Sequence, residues 1–328
     1  MRVLSTLLSG LLLIVLIAGG VALYGAHLFQ APGTTDEPVV VQIPRGTGLG
    51  GTAAILDEAG VISDRTVFVT ATRVRRQAGA IKAGEYEIPA GASMASILDL
   101  LIAGKTVQHR LTIPEGLTVA EALDLVRAHV VLTGDLTVAP SEGMMKPDTY
   151  LFGRGETRDG LVTRMVEAQR ETLARLWEGR QEGLPIATPE EALTLASIVE
   201  KETGLAEERP RVAAVFVNRL RKGMLLQSDP TVIYGVTMGS GPLGRPIRRS
   251  DLRNDNPYNT YVRAGLPPGP IALPGEAAIA AVLDPPETTD LFFVADGTGG
   301  HAFAETLAEH NRNVARWRRI ERERNGNN

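Results

Sequence analysis

Two glutamates, Glu200 and Glu202, lie near the end of a segment, Pro189–Thr203, that has the sequence pattern of an amphipathic helix. Apolar residues recur there at three- and four-residue spacing, which predicts a helix with one buried face. The opposite, solvated face is predicted to carry Thr194, Ser197 and Lys201. Glu200 and Glu202 fall at the two edges of the apolar face, where an ionised carboxylate is costly. Such a group is either paired with a cation or protonated with a raised pKa.

A carboxyl group with a raised pKa can donate a proton at neutral pH, which is the task of a general acid. The plainer alternative is a structural salt bridge, with Arg209, Arg211 or Arg219 as the cation. Residues i and i+2 point about 200° apart on a helix, so Glu200 and Glu202 cannot converge on one bond. A hydrolytic glycosidase needs two converging carboxylates about 5–9 Å apart. This helix can supply only one of them, and the sequence offers no obvious second.

The composition excludes several other chemistries. The 328 residues contain no cysteine, which excludes thiol nucleophiles, disulfides and thiolate zinc sites. The five histidines are scattered without the spacing of a zinc hydrolase. A net charge of −4 gives no general electrostatic reason to expect nucleic acid. We therefore expect no metal, no cofactor and no nucleic-acid partner.

The first thirty residues predict a membrane anchor. Val3–Leu23 carries no charge and would span roughly 31 Å as a helix, enough to cross the ~30 Å hydrocarbon layer. Arg2 and the N-terminus are the positive charges before it, which favours an N-terminus inside the cell. A cleaved signal peptide is the alternative, because small residues occur between positions 20 and 26. Both interpretations place residues 31–328 outside the cytoplasm.

Three Ile-Pro-x-Gly tetrapeptides, beginning at Ile43, Ile88 and Ile113, each precede an amphipathic run. Proline suits the end of a strand and glycine permits a sharp reversal, so each copy predicts a strand–turn–helix unit. In the third copy, Thr118 and Glu121 have the spacing of a capping box that begins the helix. These units resemble degenerate LysM glycan-binding modules. The alternative is a small α+β packing unit with no activity.

The glutamate-bearing helix is the first of a series of motifs that continues through most of the chain. It begins at 195–203 (LASIVEKET), and the later motifs are 211–220 (RVAAVFVNRL), 226–235 (LQSDPTVIYG), 258–261 (YNTY), 265–271 (GLPPGPI), 292–297 (FFVADG) and 300–301 (GH). Upstream, 142–143 (EG) and 147–150 (PDTY) fit the same series, whereas 144–146 (MMK) departs from the bulkier apolar residues expected there. Over roughly residues 38–320, the chain resembles the YceG-like family of membrane-anchored endolytic murein transglycosylases.

The resemblance implies a specific reaction. Such enzymes cleave the β-1,4 bond between N-acetylmuramic acid and N-acetylglucosamine within glycan strands, without water, and leave a 1,6-anhydro end. Glu200 matches the glutamate that acts first as acid and then as base, and intramolecular attack makes a water-activating carboxylate unnecessary. The expected substrate contacts are Gln227, Thr231, Tyr234, Asn218, Tyr258, Asn259 and Thr260, each with a core or turn role as the alternative. Glu202 and Asp229 are expected to have structural or orienting roles.

Together these observations predict an α+β protein in three parts. Residues 1–30 would form a cytoplasmic tip and transmembrane anchor, 31–136 a tether with a small LysM-like membrane-proximal domain, and 137–328 a larger mixed α+β catalytic domain. The expected setting is the bacterial inner membrane, crossed once, with the catalytic domain in the periplasm. Peptidoglycan strands would be the substrate, penicillin-binding peptidoglycan synthases the partners, and termination of nascent strands the outcome.

Two other functions fit parts of the sequence. A non-catalytic LysM-like scaffold of the cell-wall machinery would leave Glu200 with a structural role. A muramidase-type hydrolase would need a second carboxylate near Glu200, for which Asp229 is the least unsuitable residue.

Overall fold

The computed structural model describes residues 2–326 and shows a mixed α+β chain that divides into two units. Unit 1 comprises the residues up to His109 together with Leu151–Gly155, and unit 2 comprises Arg110–Tyr150 together with the residues from Glu156 onwards. The side chains of residues 1–3, 5–6 and 325–328 are not described, so the predicted charge of Arg2 and the first residue of the anchor, Val3, lie outside the described side chains. The predicted functional boundary after residue 136 stays a prediction.

The N-terminal helix α1 (Arg2–Gln30) is long and mostly apolar. Its segment Leu7–Gln30 has 24 residues, and its most apolar window has a mean hydropathy of 2.5 and no buried residues. By length and composition this helix can cross a membrane. An apolar N-terminal helix is therefore present where the anchor Val3–Leu23 is predicted.

Unit 1 contains two strand–turn–helix repeats, each built on an Ile-Pro-x-Gly tetrapeptide. Its elements are β1 (Val39–Ile43), α2 (Leu49–Glu58), α3 (Arg65–Val74), β2 (Gly84–Ile88) and α4 (Met94–Ala103). Strands β1 and β2 pair antiparallel, with Val41 opposite Tyr86. The tetrapeptide glycines Gly46 and Gly91 have φ of 82° and 65°, a left-handed conformation that glycine adopts without a steric penalty. The predicted units are confirmed, although LysM-like architecture is not shown.

The last turn of α1 is part of the core of unit 1. Phe29 is only 2% exposed, and its ring lies 6.4 Å from that of Phe68 on α3. The Arg75 guanidinium covers the same ring at 4.6 Å from its centroid. Leu23, six residues earlier, is 75% exposed. Within two turns, the apolar side chains of α1 therefore change from exposed to buried in the core of unit 1.

The predicted tether after α1 is held by backbone hydrogen bonds to the second repeat. The Gly33 amide donates to the Gly91 carbonyl at 3.0 Å, and the Gly91 amide donates to the Thr35 carbonyl at 2.8 Å. A Cβ on Gly33 would lie 2.3 Å from the carbonyl oxygen of Ala92, so the close approach requires glycine. The segment between α1 and β1 is therefore fixed to the second repeat by backbone hydrogen bonds.

The other elements follow from the third repeat to the C-terminus. They are β3 (His109–Thr112), α5 (Val119–Ala128), β4 (Thr149–Phe152), α6 (Arg158–Glu178), α7 (Pro189–Glu202), α8 (Arg209–Arg221), α9 (Asp229–Thr237), α10 (Arg249–Arg253), α11 (Glu276–Leu283), β5 (Phe292–Ala295), β6 (His301–Ala304) and α12 (Leu307–Gly326). Strand β3 pairs with β4, and β5 pairs antiparallel with β6. The predicted capping box of Thr118 and Glu121 is present at the start of α5.

Helix α7 is the central helix of unit 2. Helices α6, α8, α9 and α11 pack around it, and all eight residues from Ala192 to Val199 are buried. The prediction of a solvated face at Thr194 and Ser197 is therefore wrong, although Lys201 is exposed as predicted. Both hydroxyls are satisfied within the helix, because Thr194 donates to the Glu190 carbonyl and Ser197 donates to the Thr194 carbonyl.

Replacing Phe29 by alanine tests whether α1 ends inside the core. We expect Phe29→Ala to destabilise unit 1 by about 3–5 kcal/mol, the usual cost of removing a buried phenylalanine ring. The measurement is amide hydrogen exchange of residues 84–101 in the full chain in detergent. Leu23→Ala is the matched control on the exposed part of α1 and should change the exchange little. Equal amide exchange of residues 84–101 in the two variants would contradict the packing of Phe29 in the core of unit 1.

Candidate active site

Glu200 lies in the last turn of α7, with its carboxylate almost completely removed from solvent. The side chain is 6% exposed. Its Oε2 accepts a hydrogen bond from the backbone amide of Gly275 at 3.0 Å. Its Oε1 lies 3.7 Å from a terminal nitrogen of Arg209, beyond hydrogen-bond distance. The carboxylate therefore has one direct donor and one cation close by.

The Gly275 amide is positioned by an extended segment, residues 271–275, which we call the strap. The Ile271 amide at one end donates to the buried Ser197 hydroxyl at 2.9 Å. In the middle of the strap, Leu273 exchanges backbone hydrogen bonds of 2.9 and 2.7 Å with residues 116–117. The strap is thus fixed to α7 at Ser197 and at Glu200, and to the turn of the third repeat between them.

A buried glutamine adds a third attachment to the strap. Gln169, on α6, donates through Nε2 to the Pro274 carbonyl at 3.3 Å and to the Gly143 carbonyl at 3.0 Å. Gly143 belongs to the EG motif (Glu142–Gly143) upstream of α7. The motif and the strap are therefore connected through one amide group.

A second carboxylate, Glu115, lies beside Glu200, and the sequence reasoning missed it. Its Oε2 is 3.9 Å from the same Arg209 nitrogen that faces Glu200. Its Oε1 occupies the space that a Cβ on Gly275 would fill, at 1.8 Å, so a side chain at position 275 would displace the Glu115 carboxylate. The signal was present: the third Ile-Pro-x-Gly tetrapeptide carries glutamate where the other two carry arginine and alanine.

The surroundings of Glu200 raise its pKa above the ordinary value of a glutamate. Burial is the largest cause, because it penalises the charged form. The negative charge of Glu115 acts in the same direction. The Gly275 hydrogen bond and the charges of Arg209 and Lys201 oppose the shift without cancelling it. A salt bridge with Arg209, the plainer alternative, is present only as a long contact, and Glu200 has the electrostatics of a general acid.

Glu202 faces different neighbours from Glu200, as the angle between positions i and i+2 of a helix predicts. Its Oε1 accepts a hydrogen bond of 2.5 Å from the Ser228 hydroxyl. Burial raises the pKa of Glu202, while that hydrogen bond and the charges of His301 and Arg219 lower it. Ser228 begins α9, so Glu202 fixes the start of that helix to the end of α7.

The loop before α9 presents Gln227 in a strained conformation. Gln227 has φ of 53°, which a non-glycine residue rarely adopts, and its side chain is exposed. Thr260 holds this loop, because its carbonyl accepts from the Gln227 amide at 3.1 Å and its hydroxyl accepts from the Ser228 amide at 3.0 Å. The Thr231 and Thr260 hydroxyls also lie 2.8 Å apart, and both residues are buried. The two threonines support the loop, and Gln227 is its exposed polar side chain.

Two tyrosines of the predicted contact set lie together. The rings of Tyr234 and Tyr258 have centroids 4.8 Å apart and are tilted by 55°. The Tyr234 hydroxyl donates to Glu142 at 3.3 Å, and Glu142 also accepts from the Val119 amide at 2.9 Å. Burial raises the pKa of Tyr234, so its hydroxyl stays protonated at neutral pH. The tyrosine pair thus connects α9 to the EG motif and to the start of α5.

Three further residues named by the sequence make internal contacts. Asn218 donates to the carbonyls of residues 288 and 290, and it lies nine residues along α8 from Arg209, ~14 Å by helix rise. Asn259 is 1% exposed and donates to three carbonyls in residues 251–254. Asp229 accepts from the Tyr261 hydroxyl at 2.6 Å. The structure does not bring Asn218 next to Glu200. Asn259 holds the turn at residues 251–254, and Asp229 connects the start of α9 to Tyr261.

Known proteins resemble this chain over most of its length. A family model described as the YceG-like family matches residues 41–316. A Bacillus subtilis (strain 168) protein named endolytic murein transglycosylase is 28% identical over 90% of this chain and 90% of its own length. A protein of the same name from Streptococcus pneumoniae (strain D39 / NCTC 7466) is 30% identical over 88% of this chain. This chain spans 60% of the length of that pneumococcal relative.

Structural comparison agrees with the sequence comparison. The crystal structure of a YceG-like protein from Listeria monocytogenes aligns with a TM-score of 0.51 and 31% identity. The alignment covers 85% of this chain and 99% of the Listeria chain. The chain belongs to the YceG-like family.

The charges around Glu200 can be tested by two substitutions of opposite effect. Glu115→Gln removes a like charge and should lower the pKa of Glu200. Arg209→Gln removes the opposing charge and should raise it. The measurement is ¹³C NMR titration of the glutamate carboxyl signals, with the Glu200→Gln spectrum identifying the resonance. If the pKa of Glu200 moved in the same direction in both variants, the placement of Glu200 between one like and one opposite charge would be contradicted.

Glu200 should also make stability depend on pH. The pKa of Glu200 is higher in the folded state than in the unfolded state. Above pH 4.5, the ordinary glutamate pKa, the folded state therefore binds more protons than the unfolded state. The contribution of Glu200 to the free energy of unfolding falls as the pH rises from about 4.5 through the folded-state pKa. Glu200→Gln should therefore be more stable than the wild type at pH 8 by about 0.5–2 kcal/mol, a common gain when a strained functional site is relieved. The difference should vanish near pH 4. Denaturant unfolding at both pH values is the measurement, and an equal difference at both would contradict the prediction.

Proposed function

We propose that this chain is a membrane-anchored endolytic lytic transglycosylase of peptidoglycan, a lyase that cleaves the MurNAc-β-1,4-GlcNAc bond within glycan strands. The observation that carries the proposal is the desolvated carboxylate of Glu200, whose pKa is raised. The sequence resemblance assigns this glutamate to the position of the family's catalytic residue. The relatives named endolytic murein transglycosylase support the reaction type.

The reaction needs one group that first gives a proton and then takes one. The protonated Glu200 carboxyl donates to the glycosidic oxygen as the bond from C1 to that oxygen breaks, and N-acetylglucosamine leaves as an alcohol. The resulting carboxylate takes the proton of the muramyl 6-hydroxyl while O6 bonds to C1. The product is a 1,6-anhydro ring, and Glu200 returns to its protonated form. Because the nucleophile belongs to the substrate, no water is consumed.

A muramidase-type hydrolase is the second candidate, and the position of Glu115 favours it. Both Glu115 and Glu200 lie within 4 Å of the same nitrogen of Arg209. Glu115 is 46% exposed, so its carboxylate can reach water in a way that Glu200 cannot. In a hydrolase, Glu115 would activate water for attack at C1. It replaces Asp229, which is engaged with Tyr261, as the candidate second carboxylate.

The residues near the catalytic helix divide into contacts and supports. Gln227 is the strongest candidate to hold sugar hydroxyls or acetamido groups, because its side chain is exposed and its backbone is held in a strained conformation. Tyr258, which is half-buried, offers an aromatic face to the sugar rings, and the buried Tyr234 supports it from behind. Thr231, Thr260, Asn259 and Asn218 contribute by holding the loops. Glu202 and Asp229 orient the start of α9.

The setting of the enzyme follows from α1 and the repeats. We place residues 1–30 in an uncleaved anchor with the N-terminus inside, 31–136 in a tether and membrane-proximal domain, and 137–328 in the catalytic domain of the periplasm. The strand–turn–helix repeats would bind glycan in a LysM-like manner. Cleavage beside penicillin-binding synthases would end the elongation of nascent strands.

Digestion of purified murein distinguishes the lyase from the hydrolase and from the non-catalytic scaffold. The full chain in detergent should release glycan fragments with 1,6-anhydro ends, identified by mass spectrometry. Glu200→Gln should lose at least 100-fold of this activity, as expected for removal of a general acid–base. Glu190→Gln is the matched control, an exposed carboxylate on the same helix, and should retain activity.

The ends of the products identify the reaction. Reducing ends that disappear in Glu115→Gln would establish the hydrolase instead of the lyase. Absence of products from the wild type would leave the non-catalytic scaffold as the explanation.

A further inference from the structure

Positive charge in unit 1 is concentrated in one segment. Residues 65–84 contain five basic residues and no acidic one. The rest of 31–109 contains eight acidic residues and two basic ones. A net charge near zero for this region therefore conceals a strong separation of charge along the sequence.

Four consecutive residues at the end of α3 form the exposed part of this segment. We call Arg73, Val74, Arg75 and Arg76 the basic ledge. All four are exposed, and Val74 is 78% exposed. Among the residues that the structure describes, none of the three guanidiniums has a carboxylate partner within ion-pair distance. An exposed valine between arginines that lack carboxylate partners suits a surface that offers both phosphate and hydrocarbon.

The basic ledge lies beside the point where α1 emerges from its apolar span. Arg75 covers the ring of Phe29 at 4.6 Å. Phe29 is six residues beyond Leu23, or ~9 Å along the helix axis. The headgroup layer extends about 5–8 Å beyond the hydrocarbon on each side of a bilayer. If Val3–Leu23 fills the hydrocarbon, the flexible side chains of the ledge reach the phosphate groups of the same leaflet.

We propose that the basic ledge binds the phosphate groups of anionic phospholipids in the leaflet from which α1 emerges, with Val74 at the boundary of the acyl chains. The proposal needs α1 to span the membrane, and it does not depend on the catalytic function. Arginine pairs with phosphate through two parallel hydrogen bonds, and each added arginine near an anionic surface strengthens the attraction. Because the last turn of α1 is embedded in the core, this binding would fix the tilt of unit 1 on the membrane.

The absence of cysteine from the sequence makes a sharp test possible. A fluorophore on Val74→Cys is the only thiol label in the full chain, which is reconstituted in lipid nanodiscs. The discs contain either phosphatidylcholine alone or a mixture with phosphatidylglycerol, each with a headgroup spin-labelled lipid as quencher. We expect quenching at position 74 to be at least twofold greater in the anionic discs. High salt should reduce the difference, because exposed charges are screened.

Matched variants assign the effect to the arginines. Replacement of Arg73, Arg75 and Arg76 together by glutamine should abolish the difference between the two lipids, whereas replacement by lysine should retain most of it. A label at Leu23→Cys, on the exposed part of α1, should be quenched equally in both discs because it reports insertion. Murein digestion by the glutamine variant shows that the chain is folded.

Three results would overturn the proposal. Equal quenching at position 74 in both lipids would exclude recognition of anionic headgroups. Retention of the difference in the glutamine variant would assign it to other residues. An unquenched label at Leu23 would show that α1 does not span the bilayer.

Discussion

The removal of one carboxylate from water is the constraint on which the site depends. Burial of Glu200 opposes its charged form, and the surrounding groups reduce that cost without eliminating it. One backbone amide, from Gly275, is the direct donor. A Lys or Arg donor would bring rotational freedom and a charge of its own, whereas an amide in a fixed strap holds the carboxylate and leaves it able to be protonated. The attachments of the strap to Ser197, Gln169 and the third repeat serve that single hydrogen bond.

The same constraint explains what the sequence could and could not predict. The location of Glu200 at the edge of an apolar face follows from helical periodicity, which depends only on local spacing. The burial of Thr194 and Ser197 could not be foreseen, because it depends on four helices that pack around α7 from distant parts of the chain. A small hydroxyl satisfies its hydrogen bond inside the helix, so polarity alone does not place a serine or threonine at the surface.

Glu115 was missed for a related reason. Glu115 is 85 residues before Glu200. The two are brought together by contacts that local patterning does not show: the hydrogen bonds between Leu273 and residues 116–117, and the bond from Lys201 to the Gly116 carbonyl. The departure of the third repeat from the arginine and alanine of the other two copies was visible, but repeat comparison alone cannot say what the glutamate faces. By contrast, the strand–turn–helix units and the capping box at Thr118 rest on local turn chemistry, and they were predicted correctly.

The exposure of the two carboxylates bears on the choice between lyase and hydrolase. A carboxylate that activates water must meet water, and Glu115, at 46% exposed, meets that requirement. A group that donates a proton and then accepts one from the substrate's own hydroxyl works best with water excluded, as at Glu200. Glu115 and Glu200 both lie within 4 Å of the same Arg209 nitrogen, so in the proposed reaction a strand bound at Glu200 would also cover Glu115. Such a strand would displace the water that a hydrolase uses, while the negative charge of Glu115 keeps the pKa of Glu200 raised. In the proposed reaction Glu115 would therefore favour the protonated form of Glu200, and the muramyl 6-hydroxyl would be the nucleophile.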